Sequence, residues 1–241
     1  MEQGADGFID GPLFNEGLLR TRTMPAVPEI PAFPSAVRRV WWGMRIISGA
    51  AGGIPIQVPK TLLRPTADRV REAVFSMLGE RPEGAQVLDL FAGSGSYGLE
   101  CLSRGAAGCL FVESDRAAAP VITANLKKAS LTGGTVATVP VEAWLRAKSG
   151  SFDLIFADPP FAKQQGDRDW DALLLGSPEL PRLMAPEGVF VLESFAKSAQ
   201  PPPPGSPWSC AADRRYGDVA IRLFILSIPA AHVAVSGPAD L

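Results

Sequence analysis

The chain predicts an α/β fold. A seven-stranded, mostly parallel sheet is covered by helices and closed by an antiparallel C-terminal hairpin, with a small β-hairpin and a helix in front. Three observations carry this expectation. From Val87 onward, short apolar runs alternate with helix-forming stretches, the pattern of a parallel sheet buried on both faces. The stretch VLDLFAGSGSYG (87–98) passes from an apolar strand through a glycine-rich turn into the start of a helix. A second apolar strand, FDLIFADPPF (152–161), ends in Asp158-Pro159-Pro160-Phe161. Strand C-termini line one edge of a parallel sheet, where ligands bind, so these two loops should face each other.

Bulk properties narrow the classes. A length of 241 residues suits one large domain with additions, and 46% hydrophobic with 20% charged residues is enough for a core. No apolar run approaches the ~20 residues that span a bilayer. The acidic N-terminus MEQGADGFIDG lacks signal-peptide order, and Cys101, Cys109 and Cys210 show no C-x-x-C spacing. Reduced thiols in a cytoplasmic protein are expected. His232 is the single histidine, so a zinc centre or a histidine-based triad lacks raw material, and no metal is expected. Net charge is −2, yet Arg38, Arg39, Arg45, Lys60, Arg64, Arg69 and Arg71 fall in a stretch whose sole acid is Asp68. That asymmetry fits a polyanionic partner or a solvated basic face. No heptad or apolar stripe asks for a second copy, so a monomer is expected.

Residues 1–43, with scattered Pro25, Pro28, Pro31 and Pro34, read as a disordered or loosely packed extension. Residues 44–84 form the N-terminal unit. RIIS and IPIQVP, joined by Gly49 to Gly53, read as a hairpin. In the following helix Thr66 is the cap, Asp68 lies in the first turn, and Val70, Val74, Met77 and Leu78 face inward. Arg64, Arg69 and Arg71 are then left near the helix start and its polar side, before Gly79 and Pro82 end it. The main domain, 85–228, is expected to carry strands at 86–90, 108–113, 135–139, 152–157, 188–194, 208–215 and 218–227. Helices are expected near 97–104, 116–129, 142–148 and 170–184. Pro201 to Pro204 form a stiff turn-out, and residues 229–241 a flexible tail.

The run Gly93-Ser94-Gly95-Ser96-Tyr97-Gly98 matches G-x-G-x-x-G between a strand and a helix, where glycine lets backbone approach a ligand closely. At the end of the next strand, Glu113 can accept both hydroxyl hydrogens of an adenosine ribose. NAD and S-adenosylmethionine both fit this pattern. Asp89 inside the first strand, with Glu113 across the loop, favours the second, because a sulfonium without pyrophosphate prefers acidic surroundings. Wording of the DLFAGSGSYGLE kind also resembles the first motif of methyltransferases. Asp158 to Phe161 suit transfer to a base amine, whose lone pair is delocalised into the ring. The Asp158 carboxylate and the Pro159 carbonyl can accept the amine hydrogens, Pro159 and Pro160 fix the backbone, and Phe161 can stack on an unstacked base.

From about Met44 to Leu226, MRIISGAAGG, LRPTADRVREAVFSML, LDLFAGSGSYGLECLSRGA, FVESD, DPPF, FVLES and RRYGDVAIRLF occur in the order of a known family. The chain thus resembles the bacterial 16S ribosomal RNA guanine-N2 methyltransferases, whose fold is a Rossmann-like class I methyltransferase. The resemblance implies that Asp89, Phe91, Ala92, Gly93, Ser94, Gly95, Gly98, Glu113, Ser114 and Asp158 serve S-adenosylmethionine. It implies that Asp158, Pro159, Pro160 and Phe161 hold the target guanine. Arg38, Arg39, Arg45, Arg64, Thr66, Arg69 and Arg71 would contact ribosomal RNA, alone or in a small-subunit assembly particle. The chain departs from the family beyond the third strand, where Val139-Pro140-Val141-Glu142 leaves either Glu142 or a backbone amide beside the adenine. Tyr97 stands where a smaller residue is common, and residues 1–43 have no counterpart. Alternative readings are methylation of another planar amine (adenine or a protein glutamine), a nicotinamide-dependent oxidoreductase, or a non-catalytic RNA-binding module.

Overall fold

The computed structural model describes residues 44–59, 68–147, 150–162, 166–197 and 199–227, all within one compact unit. The elements in order are α1 (Asp68–Leu78), β1 (Gln86–Leu90), α2 (Ser96–Ser103), β2 (Gly108–Val112), α3 (Ala119–Lys128) and β3 (Gly134–Ala137). Then come α4 (Val141–Ala147), β4 (Phe152–Ala157), α5 (Trp170–Leu175), a 3-10 turn (Leu180–Leu183), β5 (Met184–Phe195), β6 (Trp208–Tyr216) and β7 (Val219–Leu226). The sheet order is β3-β2-β1-β4-β5-β7-β6, parallel throughout except for β7, which is antiparallel to both β5 and β6. The expected seven-stranded sheet with its C-terminal hairpin is what the chain forms. Strand order reverses between β1 and β4, and a crevice opens at such a switch point. Among the described residues no helix is long and apolar enough to cross a membrane.

Alternation along the strands divides the core in two. Leu88, Leu90, Ile155, Ala157, Phe190 and Leu192 face one layer, with Trp144 and Leu145 of α4, Leu174 and Leu175 of α5, and Leu180 and Leu183. On the other face Phe156 lies under Phe75 of α1 and Tyr97 of α2, with ring centroids 6.0 and 4.9 Å away. Gly98 makes the second face possible: a Cβ there would lie 2.3 Å from the Phe111 ring and 2.4 Å from the Cys109 sulfur. α2 therefore packs on β2 more closely than any side chain would allow.

The N-terminal residues form a tight ribbon clasped onto this second face. Ile46 and Ile54, Gly53 and Ile46, and Ile56 and Met44 are joined by backbone hydrogen bonds, with one antiparallel bridge, Arg45–Pro55. Its ladder is shorter than the two β-runs suggested, because much of its backbone bonds to helix side chains. The buried Glu100 carboxylate accepts from Ile47 N and Ser48 N at 2.6 and 3.0 Å. Asn125, fully buried in α3, accepts from Gln57 N at 2.7 Å and donates to Gln57 O at 2.9 Å. Its amide also donates to Ser94 O at 3.0 Å, which ties the ribbon to the glycine-rich loop.

Two expectations are corrected. The helix expected at 170–184 is two pieces, because Gly176 ends α5, while Pro178 and Pro181 carry no N–H to continue it. Strand β5 correspondingly begins at Met184, earlier than expected. Arg71 is not on the polar side of α1. It is fully buried, donating to the Arg45 carbonyl at 2.7 Å and to Asp68 at 2.6 Å. At the other end of the sheet Arg222 of β7 is buried as well, bonded to Asp171 at 2.6 Å and Ser194 at 2.8 Å.

Candidate active site

Register builds the site. Leu90 is level with Val112 and Ala157, and Ala157 with Leu192. The next residue on each of these strands therefore falls in one row along the C-terminal edge: Glu113, Phe91, Asp158 and Glu193. Asp89 lies two residues before Phe91. A carboxylate-rich edge thus runs across the switch point between β1 and β4.

The glycine-rich loop sits over this row. Gly93 and Gly95 adopt φ of 56° and 79°, and Phe91 takes φ 59°, an uncommon conformation for a bulky residue and a sign of local strain. Gly93 N donates to Glu113 at 2.7 Å, and the other Glu113 oxygen accepts from Asp115 N at 2.7 Å. Glu113 therefore braces the loop. A carboxylate has about four acceptor positions, so capacity for ribose hydroxyls remains. Ala92, Gly93, Ser94, Gly95 and Gly98 are buried, Phe91 half-buried, and Ser114 exposed beside Glu113.

Asp89 accepts from Gly98 N at 3.0 Å and is 3% exposed. Burial pushes its carboxyl well above the usual range, the Gly98 N–H opposes this, and the charges of Asp158 and Glu113 add to the rise. Three mutually repelling carboxylates around a glycine loop favour a cationic ligand. A sulfonium or ammonium group relieves the repulsion, whereas a pyrophosphate would worsen it.

Beyond the loop, Tyr97 stacks on Phe156 with an interplanar angle of 14° and donates its hydroxyl to Glu193 at 3.1 Å. Burial, then the Glu193 charge, drives the Tyr97 phenol well above its ordinary value, and Arg71 partly offsets this. Neither Glu193 nor the Tyr97 hydroxyl was expected from the sequence. Only their positions in the finished fold reveal them.

Asp158 and Phe161 are half-buried, Pro159 buried and Pro160 exposed. The Phe161 and Phe195 rings lie 6.0 Å apart at 30°, and Pro159, Pro160, Phe161, Trp170 and Phe195 line a small cleft at the strand ends. Farther along, Glu142 pairs with Arg168, whose guanidinium lies 4.7 Å over Trp170. Trp170 in turn meets Phe91 edge-on at 4.7 Å. Glu142 is thus brought to the Phe91 side of the loop through two intervening side chains.

The basic residues are not all brought together. Arg69 is exposed, and Arg45 is exposed 3.9 Å from Asp68. Arg71 is inaccessible in this conformation. Arg38, Arg39, Arg64 and Thr66 lie outside the described residues.

A switched α/β sheet with a glycine loop, an acid-lined edge and Asp-Pro-Pro-Phe opposite defines a Rossmann-like class I methyltransferase. Residues 44–225 match the family described as "Conserved hypothetical protein 95". Ribosomal RNA small subunit methyltransferase D of Escherichia coli K12 is 36% identical over 182 residues, covering 75% of this chain and 89% of that protein. Among solved structures, a putative methyltransferase of Escherichia coli, yhhF, superposes with TM-score 0.65 at 33% identity, covering 76% of this chain and 97% of the other. A hypothetical protein of Thermus thermophilus gives 0.63 at 32% identity, covering 76% and 99%. The chain belongs to this family of ribosomal RNA methyltransferases.

Proposed function

We propose that the protein transfers a methyl group from S-adenosylmethionine to the exocyclic N2 amine of a guanine in small-subunit ribosomal RNA. The observation that carries this reading is the row Glu113–Phe91–Asp158 beneath the glycine loop. It sets Glu113, Phe91 and Asp158 at one level of adjacent strands, which supports reading the acid-lined loop as the cofactor site and the Asp-Pro-Pro-Phe turn as its neighbour. The name carried by the 36%-identical relative supports the RNA substrate.

When bound, S-adenosylmethionine supplies an electrophilic methyl on a sulfonium whose S–C bond breaks as the N–C bond forms. Asp89, Glu113 and the backbone of Phe91 to Gly95 would hold it. Asp158 accepts one hydrogen of the amine and the Pro159 carbonyl the other, which draws nitrogen out of conjugation and aims its lone pair. Phe161 stacks on the base. After transfer the amine is cationic and strongly acidic, so its proton leaves to Asp158 or water without a tuned general base. Arg45 and Arg69 hold the phosphate backbone from the ribbon and from α1, on the side from which the loop is clasped.

The test is methylation of small-subunit ribosomal RNA, free and in assembly particles, with labelled S-adenosylmethionine, followed by nucleoside mass spectrometry. N2-methylguanosine is expected. Label appearing only in N6-methyladenosine or in protein would reject the guanine assignment, and heat of binding with NAD alone would reject the cofactor.

A further inference from the structure

Asp158 and the Pro159 carbonyl account for both hydrogens of a target N2 amine. A guanine seated there has one more donor on the same edge, N1–H, next to N2. Once the base is enclosed that donor needs an acceptor, since an unpaired buried polar group is strongly unfavourable. The neighbouring strand provides one. Ala157 and Leu192 are the last paired positions of β4 and β5, so the residues that follow them, Asp158 and Glu193, come level on adjacent strands, whose usual spacing is about 4.8 Å.

Glu193 is 4% exposed, unusual for a carboxylate on a strand, and its position is held by the Tyr97 hydroxyl at 3.1 Å. Tyr97 is itself fixed against Phe156 and Phe75. Two residues on, Phe195 of β5 pairs with Phe161, so β5 borders the base-stacking side of the cleft as well. Titratable and charged groups around the pair are Asp158 on the loop after β4, Tyr97 on α2 and Arg71 on α1.

We propose that Glu193 is the specificity-determining acceptor that reads the N1–H of the target guanine, with Tyr97 positioning it. This rests on the guanine-N2 reading above. Adenine, whose N1 is an acceptor, would turn its lone pair against the carboxylate, so one side chain both welcomes guanine and rejects adenine.

The test uses the full chain and small-subunit ribosomal RNA in which the mapped target guanine is replaced by 2-aminopurine. That base keeps the N2 amine but presents a bare acceptor at N1. The wild-type protein should favour guanine by about 100-fold in kcat/KM, the size of one lost hydrogen bond to a charged acceptor. Glu193→Gln, whose amide can accept from N1–H of guanine but can equally donate to N1 of 2-aminopurine, should narrow that preference by about 10-fold or more while keeping its affinity for S-adenosylmethionine. Tyr97→Phe should narrow it less, in the same direction. Equal wild-type rates on the two bases would overturn the proposal without any variant, and so would an unchanged preference in Glu193→Gln. Absence of N2-methylguanosine with the unmodified RNA would instead overturn the underlying guanine reading, and this proposal with it.

Discussion

Replacing Asn125 by leucine keeps side-chain size but removes three hydrogen bonds: 2.7 Å from Gln57 N, 2.9 Å to Gln57 O and 3.0 Å to Ser94 O. At about 1 kcal/mol net for each bond, the loss is about 3 kcal/mol. Gln57 is exposed, so its backbone groups regain water, whereas Ser94 is 2% exposed and its carbonyl stays unpaired. For a chain of this size that corresponds to a fall in Tm of about 6–12 °C. The same bonds tie the ribbon to the glycine loop, so affinity for S-adenosylmethionine should weaken about 10-fold, the equivalent of ~1.4 kcal/mol. Asn125→Asp should be worse than Asn125→Leu, because a carboxylate is set against two carbonyl oxygens that need a donor. Thermal melts, calorimetric titration and hydrogen exchange at 93–95 measure each part. A variant that melts with the parent protein refutes the energetic reasoning. One that melts lower yet binds the cofactor equally well refutes the link between ribbon and loop.

Asp158→Ala should cut turnover by ~100-fold or more with cofactor affinity nearly kept, read by initial rates beside calorimetry. Asp89→Asn should change the pH dependence of stability. Folded Asp89 holds its proton to a higher pH than the unfolded chain does, so the parent protein loses stability as pH rises from about 4 through the raised native value, and stays lower above it. The variant lacks this slope, so melts taken from about pH 4 upward should show it gaining on the parent as pH rises, while its affinity for the cationic cofactor falls. Native alkylation should label Cys210 and spare Cys101 and Cys109, whose burial raises their thiol pKa and blocks access, with all three labelled after unfolding as read by intact mass.

Most of the sheet was readable because a buried parallel strand announces itself as a short apolar run, and the two ligand loops because glycine, proline and acid mark strand ends. All but one of the failures share a cause. Arg71 sits among Val70 and Val74 of α1, where local pattern shows an arginine and not the Arg45 carbonyl that receives it. Glu100 and Asn125 look like solvent-facing positions of amphipathic helices. The ribbon backbone groups they bond lie more than fifty residues earlier in the chain. Glu193 reads as one polar residue in an apolar strand until register sets it beside Asp158. The broken helix after Trp170 could have been read from Gly176 and Pro178, since both breakers lie in plain sequence.

The antiparallel insertion of β7 has a consequence for synthesis. Residues emerge from the ribosome in order, so β1 to β4 and both ligand loops are complete before β5 has its second neighbour. Phe190 to Phe195 must wait for Val219 to Phe224 to arrive. In the interval that β5 edge is a long apolar template open to any other nascent chain. The four prolines at 201–204 leave the tunnel first and have no N–H to offer it, so the segment closest to hand cannot pair wrongly. Translation that stops short of Val219 therefore releases a polypeptide with finished ligand loops and an unfinished sheet, and its fate is precipitation rather than idle solubility.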